Sequence, residues 1–198
     1  VLVVEGATEV ALFQAAADVL DADPAVDYLH PDLAGVSLFN AGGDHAVPLF
    51  APVFAAMGKP VFGIHDQPTK PLDPALKPKS DQFTDYKEIP YRGIETLLVA
   101  ETPIVVQRRF AAAVVTRSDY PGGAPLLPEA TEDEVRAHVR HLLQAKKGSY
   151  DGYAVLLINE CRNAAELPSS VSVFLQTIDA HLLAASTSEA EPTADPES

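Results

Sequence analysis

The sequence predicts an α/β fold: a parallel sheet flanked by helices, with a mostly helical C-terminal half. Three observations carry that prediction. The first hundred residues alternate short β-branched runs with helical periodicity, giving β-α-β-α-β with short connections. The later residues carry repeated helix-start signals and no further strand run. At 198 residues, 47% apolar and 21% charged, the chain has material for one sizeable core but not for two large domains.

Val1–Val4 is an uninterrupted apolar run, the pattern of a central parallel strand. Glu5-Gly6-Ala7 turns the chain, and Thr8 is placed to cap a helix running to about Leu20, with Ala11, Leu12, Ala15, Ala16 and Leu20 on its buried face. After a loop rich in Asp and Pro, Gly35–Phe39 reads as a second strand closed by Asn40-Ala41-Gly42-Gly43. A helix ending near Met57 follows, its start blurred by Pro48 and Pro52. Val61–His65 is the third strand and ends at Asp66. Residues 67–91 break the rhythm as a long polar loop holding five prolines and four lysines. Thr102-Pro103 starts a helix through Val115, and Thr131 with Glu134 forms a capping box for one ending near Lys147, with Gly148 as its stop. Two more helices are expected at about 150–165 and 169–185. The segment 186–198, with Glu189, Glu191, Asp195 and Glu197, reads as a disordered acidic tail.

Charge narrows the function. Lys and Arg total 14 against 28 Asp and Glu, a net charge of −14. Such a chain repels a phosphate backbone unless bound cations or a local basic patch intervene. One cysteine, Cys161, excludes an intrachain disulfide framework and a multi-cysteine zinc site. No apolar run approaches membrane-spanning length and the first residues lack a signal-peptide charge pattern, so a cytoplasmic protein without membrane contact is expected. The sequence begins inside a strand without methionine, which is expected of a fragment from a longer protein.

Ligands of an open parallel sheet collect at the carboxyl ends of its strands. Glu5 stands at the end of the first strand, Asp66 at the end of the third, and Glu9 lies one helical turn beyond Glu5. Carboxylates gathered on one rim repel one another unless a cation lies between them, and hard oxygen donors favour Mg²⁺, Mn²⁺ or Ca²⁺.

Val3-Val4-Glu5-Gly6-Ala7-Thr8-Glu9-Val10, Asn40-Ala41-Gly42-Gly43 and Phe62-Gly63-Ile64-His65-Asp66 resemble the successive motifs of a Toprim domain. More narrowly, the chain resembles the C-terminal Toprim nuclease region of the OLD (overcoming lysogenization defect) family, whose first motif carries a second glutamate. Tyr91-Arg92-Gly93-Ile94-Glu95 is similar to that family's later acidic motif, Lys146-Lys147-Gly148 to its catalytic-lysine region, and Leu167-Pro168-Ser169 to the entry of its last helix. The resemblance implies a divalent-metal-dependent DNA endonuclease using Mg²⁺ or Mn²⁺, with Ca²⁺ as a possible bound ion. Carried over by position, Glu5, Glu9, Asp66 and Glu95 would be metal ligands, Glu9 also a catalytic residue, and Lys147 or Lys146 the cation that stabilises phosphate charge. It also implies DNA as substrate, an ABC-type ATPase region N-terminal to this chain, and a possible homodimer.

One departure stands out. The usual Asp-x-Asp of the third Toprim motif is Asp66-Gln67-Pro68 here. Glu95, Asp73 and Asp81 are the candidates to replace the missing carboxylate. On this reading residues 1–100 form the catalytic core with its loop at 67–91, and residues 101–185 form a helical portion packed on or inserted beside it.

The chemistry can be stated without the family. Phosphodiester hydrolysis needs an in-line water, relief of charge on the phosphorane-like transition state and a stabilised leaving oxygen. Two cations roughly 3.5–4 Å apart supply these, and a nearby lysine adds fixed positive charge. Two other classes compete: a degenerate Toprim module that binds DNA or a partner without cutting, and a small-molecule phosphatase or phosphotransferase. Among the remaining residues, His65 and His45 are read as structural, Gly42-Gly43 as a tight turn and Cys161 as core. His138 and His141 lack a third ligand. Arg108-Arg109 is read as a solvated helix face ahead of a phosphate contact, and the lysines of the 67–91 loop could track a DNA backbone, with Asp73, Asp81 and Asp85 diluting their charge.

Overall fold

A computed structural model describes residues 1–147 and 152–189 of the chain. In order along it run β1 (Leu2–Val4), α1 (Ala7–Asp21), β2 (Leu38–Asn40), α2 (Val47–Ala56), β3 (Phe62–His65), α3 (Lys77–Ser80) and β4 (Asp85–Glu88). Then come α4 (Ile94–Glu101), α5 (Ile104–Val114), α6 (Glu132–Ala145), α7 (Tyr153–Asn159) and α8 (Ser169–Glu189). The four strands make one sheet in the order β2-β1-β3-β4, with every pairing parallel. Leu2 pairs with Leu38 on one side and Phe62 on the other, and Phe62 pairs in turn with Asp85.

Alternation along the strands divides the core. Leu2, Val4, Phe62 and Ile64 face a large cluster shared with α1 and the helices α4 to α8. Val3 and Val61 face a smaller one with Val47 and Ala51 of α2 and Phe83. Helix α1 is the hinge of the arrangement. Its buried face, Ala11, Leu12, Phe13, Ala15, Ala16, Ala17 and Leu20, touches α7 and α8 as well as β2. Each fully buried leucine there contributes roughly 1.5–3 kcal/mol. The sheet and the helical half therefore share one apolar interior.

The long loop expected at 67–91 is more structured than its composition suggests. It contains a 3-10 turn at Pro74–Leu76, the single-turn α3 and a fourth parallel strand. Strand β4 reads Asp85-Tyr86-Lys87-Glu88, with no apolar run, because it is an edge strand whose side chains are half-exposed or exposed. Its identity comes from four pairings with β3, which local sequence cannot supply.

Smaller differences concern caps. Helix α1 begins at Ala7 with Gly6 as its N-cap, so Thr8 lies inside the first turn. Thr102 ends α4, and α5 starts after Pro103. The Thr131–Glu134 capping box of α6 is present in both directions. Pro48 falls in the first turn of α2, where an N–H has no helical partner anyway, whereas Pro52 is accommodated inside the helix. Helix α8 runs to Glu189, four residues into the stretch expected to be tail. The rest of that tail, 190–198, together with Gly148 and Tyr150, lies outside the described residues. Among the described residues no helix is long and apolar enough to cross a membrane.

Candidate functional site

All four strands point their carboxyl ends at one rim, and an acid stands at each. Glu5 directly follows β1, Asp66 directly follows β3, Glu88 closes β4, and Asp44 opens the 3-10 turn Asp44–Ala46 beyond β2. A short turn carries the chain from Glu5 into α1 and sets Glu9 in its first turn. Gly93, at φ 85°, turns it into α4 and sets Glu95 in the first turn there.

Hydrogen bonds tie these segments together. The Asp66 backbone N–H donates to Glu5 Oε1 at 2.5 Å. The Asp66 carboxylate accepts from the Gly93 N–H. Glu9 accepts from its own N–H and that of Gly6, which satisfies helix-terminal donors. Gly42 and Gly43 both donate to the Glu5 carbonyl at 2.8 Å, so the paired glycines form a turn locked to β1. Glu95, with its side chain 13% exposed, receives Lys147 Nζ at 2.7 Å.

The electrostatics show how close the carboxylates are. Burial pushes Asp66 up to about 8, and the charges of Glu5, Glu9 and Glu95 add to it. Glu5 rises to about 7 from burial first, with Glu9 and Asp44 adding and the Asp66 N–H opposing. Glu9 is also raised, by burial and by Glu95, while Lys147 works against the rise. Four carboxylates from three segments thus share one partly buried neighbourhood with a single lysine at its edge. The donor chemistry fits a hard divalent cation, which would relieve this repulsion. Glu5, Glu9 and Asp66 are turned to backbone N–H donors and Glu95 to Lys147, however, and among the described residues no three His, Cys, Asp or Glu side chains converge to hold one ion.

The two lysines differ sharply. Lys146 is bonded to Asp119, which Arg117 also clasps at 2.8 and 3.0 Å, and its ammonium lies over the Tyr153 ring at 5.7 Å. Lys147 points to the acidic neighbourhood instead. Asp73 caps the Pro74–Leu76 turn through the Ala75 N–H, and Asp81 is bonded to Lys77. Both have local duties and neither contributes to the Asp66 environment. Arg109 is committed to Glu166 and the Glu160 carbonyl, and Arg108 to the carbonyls of Pro128 and Ala130. Cys161 is buried, its thiol pushed up to about 12 by burial.

Residues 1–67 match the family model described as "Overcoming lysogenization defect protein-like, TOPRIM domain". Over that stretch the chain is similar to an OLD-like TOPRIM domain. The stretch holds Glu5, Glu9 and Asp66, while Glu95, Lys146 and Lys147 lie beyond the matched residues. The whole chain also resembles the C-terminal region of the Burkholderia pseudomallei OLD protein, with a TM-score of 0.52 at 16% identity. That likeness covers 91% of this chain and 96% of the other, so the shared fold runs past the Toprim domain into the helical half. No curated protein sequence matches the chain. That similarity is consistent with a nuclease-type, nucleic-acid-related function.

Sequence reading missed Asp44, Glu88 and Tyr86. Asp44 was legible as the acid just past the Asn40-Ala41-Gly42-Gly43 turn. Glu88 and Tyr86 had no signal, because β4 itself had none.

Proposed function

We propose that the chain is a divalent-metal-dependent phosphodiesterase that nicks or cuts DNA. The observation that supports this most is that Glu5, Glu9, Asp66 and Glu95 lie close enough on the rim to raise one another's proton affinity, with Lys147 Nζ 2.7 Å from Glu95. On this reading Glu5, Glu9, Asp66 and Glu95 hold Mg²⁺ or Mn²⁺, with Ca²⁺ a further ion the site can take. A bound divalent ion supplies Lewis acidity and a more acidic water. Lys147 leaves Glu95 for the phosphate and offsets charge that develops there. Glu9, at the helix N-terminus, stands beside the reacting group, and Lys146 stays with Asp119 as an anchor. The solved relative is the C-terminal region of an OLD protein, so an N-terminal ATPase region in the same polypeptide belongs to this reading, as does a homodimer.

Incubation with supercoiled plasmid tests it. Nicked or linear product should form with Mg²⁺ or Mn²⁺, vanish in EDTA, and vanish in Glu5→Ala and Asp66→Ala. Unchanged cutting in both variants would reject the site. Two observations favour a second reading, a Toprim module that binds DNA without cutting it. Pro68 replaces the second acid of the third motif, and no converged trio of ligands is present among the described residues. That reading gives intact plasmid in every lane together with weak metal binding.

A further inference from the structure

His65 is the last residue of β3 and is only 3% exposed. Its ring bridges the peptide that follows β3 and the neighbouring strand β4. Nδ1 lies 2.6 Å from the Asp66 carbonyl oxygen, and Nε2 lies 2.6 Å from the Tyr86 hydroxyl on β4. A carbonyl only accepts, so Nδ1 carries the proton, and the neutral ring then accepts the Tyr86 O–H at Nε2. Tyr86 is held in turn by stacking on Phe83, with centroids 4.9 Å apart and planes 12° apart.

The consequence falls on Asp66. Its N–H is fixed by Glu5, its carbonyl by His65, and the next N–H, that of Gln67, by the Tyr91 carbonyl at 2.8 Å. The peptide on both sides of the carboxylate is therefore clamped. Gly63 makes the clamp possible, since a Cβ there would lie 2.6–2.9 Å from the Phe83 and Tyr86 rings. Only a bare backbone lets the aromatic pair lie across β3 and reach His65.

We propose that Tyr86 and His65 are positioning residues, setting the orientation of Asp66 as a cation ligand through its carbonyl; this rests on the metal-binding reading above. Outer hydrogen bonds of this kind are worth about 10–100-fold in metal affinity at other sites. With Pro68 in place of a second acid, the third motif brings a single carboxylate, so its aim matters more.

The test uses the full chain and Mn²⁺. Calorimetry gives the Mn²⁺ affinity of the wild type, Asp66→Ala, Tyr86→Phe, His65→Asn and His65→Gln. Nitrogen-15 spectra of the metal-free protein give the His65 tautomer. The wild type should show the Nδ1–H form. Tyr86→Phe keeps the stacked ring, so it should still fold, with a modestly lower melting temperature from the unpaired Nε2, and should bind Mn²⁺ on the order of tenfold more weakly. His65→Asn keeps a donor near the Asp66 carbonyl and should retain more affinity than His65→Gln. Wild-type affinity in Tyr86→Phe beside a loss in Asp66→Ala, or an Nε2–H tautomer in the wild type, overturns the positioning role alone. Absence of Mn²⁺ binding by the wild type overturns the metal reading and the positioning role with it.

Discussion

Lys147 Nζ sits 2.7 Å from Glu95 Oε1, although 52 positions separate the two in the chain. Lys146, its neighbour, faces the other way into Asp119. The end of α6 thus divides two adjacent cations between an anchoring contact and the acidic rim, and the two lysines should respond differently to substitution.

Lys147→Ala should lower plasmid cleavage by roughly 100-fold or more, the scale seen when one transition-state charge stabiliser is removed. Mn²⁺ affinity should be kept or improve, because a cation competing for Glu95 is gone. Lys146→Ala should instead lower the melting temperature. Single-turnover cleavage beside calorimetry distinguishes the two, and equal rate losses in both variants would contradict the division.

Asp119→Ala removes the partner of both Arg117 and Lys146. The variant should melt at lower temperature and should lose cleavage without losing Mn²⁺ affinity, since no metal-site carboxylate is touched. A matched fall in Mn²⁺ affinity would place Asp119 within the metal site.

The metal-free protein should become less stable as pH rises. Asp66 binds its proton up to about pH 8 when folded, but near its ordinary value of about 3.9 when unfolded. Between those values the folded state holds more protons than the unfolded state, so stability is full below about pH 4 and is lost progressively towards pH 8. Glu5, raised to about 7, acts in the same direction over a narrower window. Thermal melts from pH 5 to 8.5 should therefore decline and should flatten in Asp66→Asn. Saturating Mn²⁺ should reverse the slope, because a cation favours the ionised carboxylates.

Gly63→Ala should cost about 1–3 kcal/mol, the usual range for overpacking a filled site. Its methyl group meets the Phe83 and Tyr86 rings, so Mn²⁺ affinity should fall along with stability. Denaturant melts and calorimetry on the same variant check both effects.

Several features were readable without coordinates. Val1–Val4 and Val61–His65 announce buried parallel strands because both of their faces are covered, so apolar residues run on without alternation. The Thr131–Glu134 box announces α6 because capping is a contact within one turn. Glu5 and Asp66 could be picked out as rim residues because each follows such a strand at once. Strand β4 could not be found in this way. An edge strand with charged residues owes its existence to the hydrogen bonds of β3, and Asp85-Tyr86-Lys87-Glu88 bears no mark of them.

The assignment of the lysines shows the same boundary. Lys146 and Lys147 are chemically identical neighbours, and composition and spacing treat them alike. Their separation depends on Asp119, 27 positions away from Lys146, and on Glu95, brought to the rim by the turn at Gly93. The His65–Tyr86 bond is likewise a product of strand register, which pairs His65 with Glu88 and places Tyr86 two residues back along the adjacent strand. Fold class, rim and acidic character follow from local pattern, because burial and capping act over a few residues. Which acid meets which cation, and which ring holds Asp66 in place, follow from long-range pairing, where contacts between distant segments set the geometry.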